Sequence, residues 1–310
     1  MVDANDRCAN LPADMARPLA KLLTAFCVLA AVLVVGALVI ILSRPAPPLP
    51  PLPKPNGYDE FVKAGKMVDE RSSDYRDMSE AELRGLVSTN AEALKVARIG
   101  LSRECRVPLE FTPTEDKHFL ELPQVKRLAF MLAAEGKLAE LEKRPGDAAC
   151  SYLDAVRIGH ALSRGGVIID SLVGVAVQAI GTQPLERLVP RLDVKQCREL
   201  AAALETIESK RESSDDVLNQ EHAWSRRTYG LKGQFIRLVT YRSLKQMEDK
   251  LAAKLKAQQA RAQLLLVQAA ARAYELEKGQ RPKTLDDLVP AYLKAIPQDP
   301  VTGTNLNYRP

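Results

Sequence analysis

The chain has 310 residues, 46% of them hydrophobic and 27% charged, with a formal net charge of +5. That is enough for one or two domains with a real core, and the interspersed signs argue against nucleic acid as a partner, which asks for a concentrated basic face. Aromatic residues are only 5%, and the Ala- and Leu-rich apolar set favours helix over strand.

In chain order, a short N-terminal tail (1–21) precedes "LLTAFCVLAAVLVVGALVIILS" at 22–43, a stretch without a charge. As a helix it would be about 33 Å long, enough to cross a hydrocarbon core of roughly 30 Å. It exceeds the apolar stretch of a signal peptide, and Arg44 and Pro45 follow it where a small-residue cleavage site would stand. An uncleaved transmembrane helix is expected, so the bilayer is the first partner. Arg7, Arg17 and Lys21 precede the span, whereas Arg44 and Lys54 follow it. That bias puts the N-terminus in the cytoplasm and the body on the periplasmic side of a bacterial inner membrane, in single-pass topology. Next comes "RPAPPLPPLPKPNG" (44–57), a Pro-rich spacer whose polyproline II habit would hold the body about 30 Å off the bilayer.

Residues 58–242 read as a helical domain. Ser79 and Glu82 form a capping box, Asn90 offers a cap, Pro123 fits a first helical position, and Asp193 with Gln196 marks another start. Val217, Glu221, Trp224, Thr228, Leu231, Phe235 and Leu238 share a helical stripe expected to face the core. Within 128–159, Gly136, Ala148, Tyr152 and Ala155 have spacings similar to a tetratricopeptide hairpin. "GGVIIDSLVGVAVQAIG" (165–181) is apolar but short and holds Asp170 and Gln178. It reads as a core helix in which Gly174 and Gly181 allow close contact and Asp170 requires a basic or backbone partner. Cys105, Cys150 and Cys197 leave open either one disulfide or buried free thiols.

A long helix is expected over 243–278, stopped by Gly279. Thr284 and Asp287 then restart a short helix ended by Pro290, and "YLKAIPQDPVTG" leads into a turn before "NLNYR". The segment 279–310 is expected to fold back on the long helix as a cap with at most a short strand, Leu285, Leu288 and Ile296 facing inward and covering "LLLVQAA" (264–270). Tyr274, Gly279, Pro282, Leu285, Leu288, Tyr292, Leu293, Ile296, Pro297, Asp299, Pro300, Gly303 and Tyr308 carry a pattern. By it, the C-terminal ~45 residues resemble the segment after the long helix in type II secretion pseudopilins, a unit also found at the end of membrane-anchored planctomycete proteins. The chain departs from that family in placing its apolar helix far upstream and in lacking a prepilin-peptidase site. The resemblance therefore implies a local structural unit rather than assembly into a pilus, and carries over no metal ligand.

Chemistry-bearing motifs are sparse. His118, His160 and His222 are far apart in sequence, and "NQEHAW" lacks a second histidine at zinc-protease spacing. "GLKGQF" lacks the ending of a phosphate loop, and "LSRGG" lacks the flanking glycine of a nucleophile elbow. Asp215/Asp216 and Asp286/Asp287 sit at helix starts, where the helix dipole accounts for them. No catalytic, cofactor-binding or metal-binding residue is nominated. The expectation is an all-α protein: an N-terminal transmembrane helix, an irregular helical bundle with a tetratricopeptide-like hairpin, and a small Pro-rich cap. Its expected role is non-enzymatic, as a binding or scaffold module for other envelope proteins. The competing readings are an unrecognised envelope enzyme and an accessory component of a secretion or pilus-like machine.

Overall fold

The computed structural model describes residues 13–42, 49–68, 74–112 and 117–306. The chain divides into an N-terminal unit, Met1–Pro47, and a body, Pro48–Pro310. Among the described residues the regular structure is helical, with ten α-helices and a single antiparallel bridge between Gln298 and Asn305.

The N-terminal unit contains α1 (Ala13–Leu42). Leu22, Phe26, Leu29, Val32, Leu33 and Ile40 are all exposed on it. Lys21–Ala37 counts as a shorter apolar helix; the side chains of Leu38 and of residues 41–43, the rest of the expected span, lie outside the described residues, as do the tail residues 1–12. One described helix, Ile168–Arg191, is long and apolar enough to cross a membrane by length and composition, yet 56% of its most apolar window is buried inside the protein.

The body comprises α2 (Gly57–Met67), α3 (Glu80–Thr89), α4 (Ala91–Leu101), α5 (Lys117–Leu141), α6 (Pro145–Ser163), α7 (Ile168–Leu188), α8 (Val194–Glu208), α9 (Ser214–Val239) and α10 (Tyr241–Lys278). Its centre is the α6–α7 pair. A Cβ on Gly159 would come within 2.5 Å of the Gln178 amide nitrogen, and one on Gly174 within 2.6 Å of the Gly159 carbonyl oxygen. A Cβ on Gly181 would collide with the Tyr152 carbonyl. Only glycine lets these backbones approach so closely. α5 packs on the other side of α6, with α2 and α4 beyond it, while α8 and α10 close the opposite end.

Local signals set many helix ends. Glu82 N–H donates to Ser79 Oγ and Ser79 N–H to Glu82 Oε2 at 2.8 Å. Gln196 N–H donates to Asp193 Oδ1 at 2.8 Å. Gly279 ends α10 in the left-handed conformation at φ 69°. Asp216 and Asp287 act as caps, accepting from Ser213 N–H and Thr284 N–H at 3.0 and 3.1 Å.

Elsewhere tertiary structure overrides the local reading. Pro123 is not at a first helical position: α5 begins at Lys117 and carries Pro123 inside it. The missing N–H there deprives only one carbonyl, while the added turns bury His118 and Leu122. Asn90 stands at the N-cap of α4 as expected, but without a side-chain cap hydrogen bond, its amide donating back to the Leu86 carbonyl at 2.8 Å. The compact body starts at Pro48, within the expected spacer, and Asn56 fastens α2 by accepting from Arg106 N–H at 3.1 Å. α10 begins two residues earlier than expected.

The stripe on α9 also breaks. Val217 is buried, but Leu231 and Phe235 are exposed, and the Leu238 side chain lies outside the described residues. Gly230, at φ 56° and ψ −140°, bends the helix and turns the later members outward. At the C-terminus, Leu285, Leu288 and Leu293 are buried and Ile296 is partly so. α10 packs mainly on α8 and α7, with fewer contacts to the Leu285–Leu288 turn. Tyr308 lies outside the described residues.

Candidate functional site

A cavity of about 510 Å³ lies among α6, α7, the start of α9, α10 and the C-terminal segment. The glycine contact of α6 with α7 places His160 and Ser171 in one wall. Gln178 lies two turns further along α7, and Gln263 comes from α10; all four residues line the space. They are at least nine-tenths buried, with Ser171 at 0% and Gln178 at 1% exposure. His160 Nε2, Ser171 Oγ, Gln178 Nε2 and Gln263 Oε1 have no hydrogen-bond partner in the protein. Buried polar atoms are nearly always paired, and these four unmatched atoms belong to residues that line one cavity.

The charged groups around the cavity are mostly engaged. Arg211 donates to Glu208 Oε2 at 2.9 Å and to Gln178 Oε1 at 3.2 Å. A guanidinium can only donate, so Arg211 fixes the Gln178 oxygen toward itself and leaves the amide N–H groups for the cavity. Glu212 accepts from Gly165 N–H at 3.0 Å and from Gln220 at 3.0 Å. Asp299, from the C-terminal segment, accepts from Val301 N–H at 2.7 Å. Arg164 and Lys256 complete the charged lining. Burial, with Arg211, Arg164 and Lys210 nearby, holds the His160 pKa down at about 3, so the imidazole is neutral at physiological pH.

His118, by contrast, belongs to a saturated network. It reaches Asp170 through Nε2 and the Tyr58 hydroxyl through Nδ1, the latter at 2.6 Å. Asp170 also accepts from Val167 N–H at 2.8 Å, so it has both a basic and a backbone partner. Burial raises the Tyr58 pKa far above the usual phenol range. Tyr58, His118 and Asp170 are 1%, 2% and 0% exposed, and they tie α2, α5 and α7 together. His222, the third histidine, contacts Glu248 at 3.1 Å on α10. Among the described residues, no three His, Cys, Asp or Glu groups are gathered to hold a metal ion, and Cys27, Cys105, Cys150 and Cys197 are free thiols.

A second concavity, of about 720 Å³, is an apolar groove between α5, α7 and α9. Phe119, Val173 and Trp224 line it with Glu221, whose pKa burial raises while it accepts from Ile168 N–H at 3.0 Å.

None of the polar-cavity residues carries a motif, and sequence reasoning singled out none of them as a site. One signal was present. Ser171, Gly174, Gln178 and Gly181 fall at spacings of three, four and three, a small-and-polar stripe on an otherwise apolar helix. No family model, curated protein or solved structure matches the chain.

Breaking the buried pair with Asp170→Ala leaves His118 without its carboxylate. A loss of about 3–5 kcal/mol is expected, read as a fall of roughly 10 °C in the thermal midpoint by circular dichroism. His160 gives a pH signature. Unfolded histidine titrates near 6.5 whereas folded His160 stays neutral down to about 3. Stability is therefore full above pH ~6.5 and lost as pH falls from there toward 3, by up to ~1.4 kcal/mol per pH unit. His160→Gln should flatten that acid limb in melts recorded from neutral to acidic pH.

Proposed function

We propose that the chain is a single-pass, membrane-anchored, non-enzymatic binding protein of a bacterial envelope, whose body holds a small polar ligand in the cavity between α6, α7 and α10. The observation that carries this reading is the set of four buried, unmatched polar groups around one space of ligand size. Gln178 Nε2 offers a donor, Gln263 Oε1 an acceptor, and Ser171 Oγ and neutral His160 Nε2 can act as either. The ligand class is a compact molecule with both acceptors and donors, and Arg164 and Lys256 at the lining favour an acidic group on it.

Anchoring is supported by α1, whose apolar side chains are exposed around the helix; a helix apolar all round suits a bilayer. In this reading residues 22–43 cross the inner membrane, the N-terminus is cytoplasmic, and a Pro-rich spacer joins the anchor to a periplasmic body. A scaffold role toward other envelope proteins stands as a second reading, favoured by the apolar groove beside Trp224. In the body, α5 and α6 resemble a tetratricopeptide-like hairpin, with Gly136 against the Tyr152 ring. The pseudopilin-like reading of the C-terminus treats the matched positions as a packing cap. Tyr274 and Tyr292 meet edge-on at 5.4 Å, and an accessory role in a secretion machine would rest on that likeness.

Two outcomes test the proposal. Native mass spectrometry of the full-length chain, released from membranes in mild detergent, should show a co-purifying small molecule. Ser171→Ala removes an unmatched hydroxyl, so the ligand-free protein should melt at the same temperature or higher, while affinity falls about tenfold. A wild-type protein that carries no ligand and binds none from a panel of small polar acids and amides sinks the idea. For the anchor, deleting residues 1–47 should release the chain from the membrane fraction on ultracentrifugation; persistence there of the deleted protein under high salt would count against α1 as the anchor.

A further inference from the structure

The bend in α9 leaves an apolar face uncovered, and the charges around it indicate what covers it. Leu231, Phe235 and Val239 follow one another at four-residue spacing along one line of the helix. Ile236 lies beside them, Tyr241 follows across the turn into α10, and all five are more than half exposed. The bend is braced: Arg237 lies 3.0 Å from His222 Nδ1 and 3.9 Å from Glu248. The face is therefore held outward in a fixed elbow.

From Ser225 to Met247 the sequence holds six Arg and Lys and no Asp or Glu. The intervals on either side of this stretch contain the usual mixture of signs. Lys232, Arg242 and Lys245 are exposed alongside the apolar residues. Lys245 is paired with Asp249 at 3.2 Å and Arg237 lies near Glu248, which leaves Lys232 and Arg242 as the exposed cations beside the aliphatic and aromatic side chains. A protein partner would have to present an acidic patch around an apolar centre. That excess of positive charge matches an anionic lipid surface, where the apolar residues enter the headgroup boundary and the cations meet phosphates.

We propose that the elbow, residues 229–247, is a lipid-binding surface that seats on an anionic bilayer. The assignment is independent of the ligand cavity. It gains from the proposed anchor, because a tethered face meets the bilayer at high effective concentration.

The test uses the full-length chain in nanodiscs of phosphatidylcholine alone or mixed with phosphatidylglycerol, with hydrogen exchange followed by mass spectrometry. Amides of 229–247 should exchange at least about fivefold more slowly in the anionic discs, with the protection weakening at high salt. Phe235→Ser with Ile236→Ser, and separately Lys232→Glu with Arg242→Glu, should each abolish the difference while α6 exchanges as in the wild type. Equal exchange in both lipids overturns the proposal. So does protection that follows the number of protein copies per disc rather than lipid charge, which would mark the elbow as a contact between copies.

Discussion

The body depends on the close approach of α6 and α7. Gly159, Gly174 and Gly181 remove the side chains that would hold these helices at an ordinary separation, and the gap closes to backbone contact. Such proximity has a chemical consequence. Polar side chains buried beside this contact have no water to retreat into, so each must be matched by another group of the protein or left unmatched. Asp170 takes the first course, through His118 and the Val167 N–H. Ser171, one residue later, takes the second.

These two neighbouring residues separate what holds the fold from what is left for a ligand. The Tyr58–His118–Asp170 network joins three helices and is closed to solvent. The polar cavity is the opposite arrangement. Arg211 is occupied by Glu208 and Gln178, and Glu212 and Asp299 accept from backbone N–H groups, while His160, Ser171, Gln178 and Gln263 each keep an unmatched neutral atom.

Much of the helical architecture was legible because it is local. Ser79 with Glu82, Asp193 with Gln196, and Gly279 each act within a turn or two of their own position, so spacing alone located them. The failures share a cause in distant contacts. Pro123 looks like a helix start until His118, five residues earlier, is seen to be needed by Asp170. The α9 stripe reads as a core face until the bend at Gly230 redirects it; a glycine in a helical run does not announce a positive φ. The cavity was least legible of all, since His160, Ser171, Gln178 and Gln263 come from three helices and none stands in a motif.

One feature of the C-terminal segment bears on more than packing. Gln298, Asp299, Pro300 and Gly303 form a side of the polar cavity, while Arg198 fastens the same segment to the body through the Ala291 carbonyl at 2.8 Å. A molecule that fills the cavity therefore rests partly on a stretch of chain with an attachment of its own. Detachment of that stretch and release of the molecule would share one equilibrium, and by linkage each would alter the other by the same factor. Under the proposed ligand reading, Arg198 on α8 would then bear on release from outside the cavity.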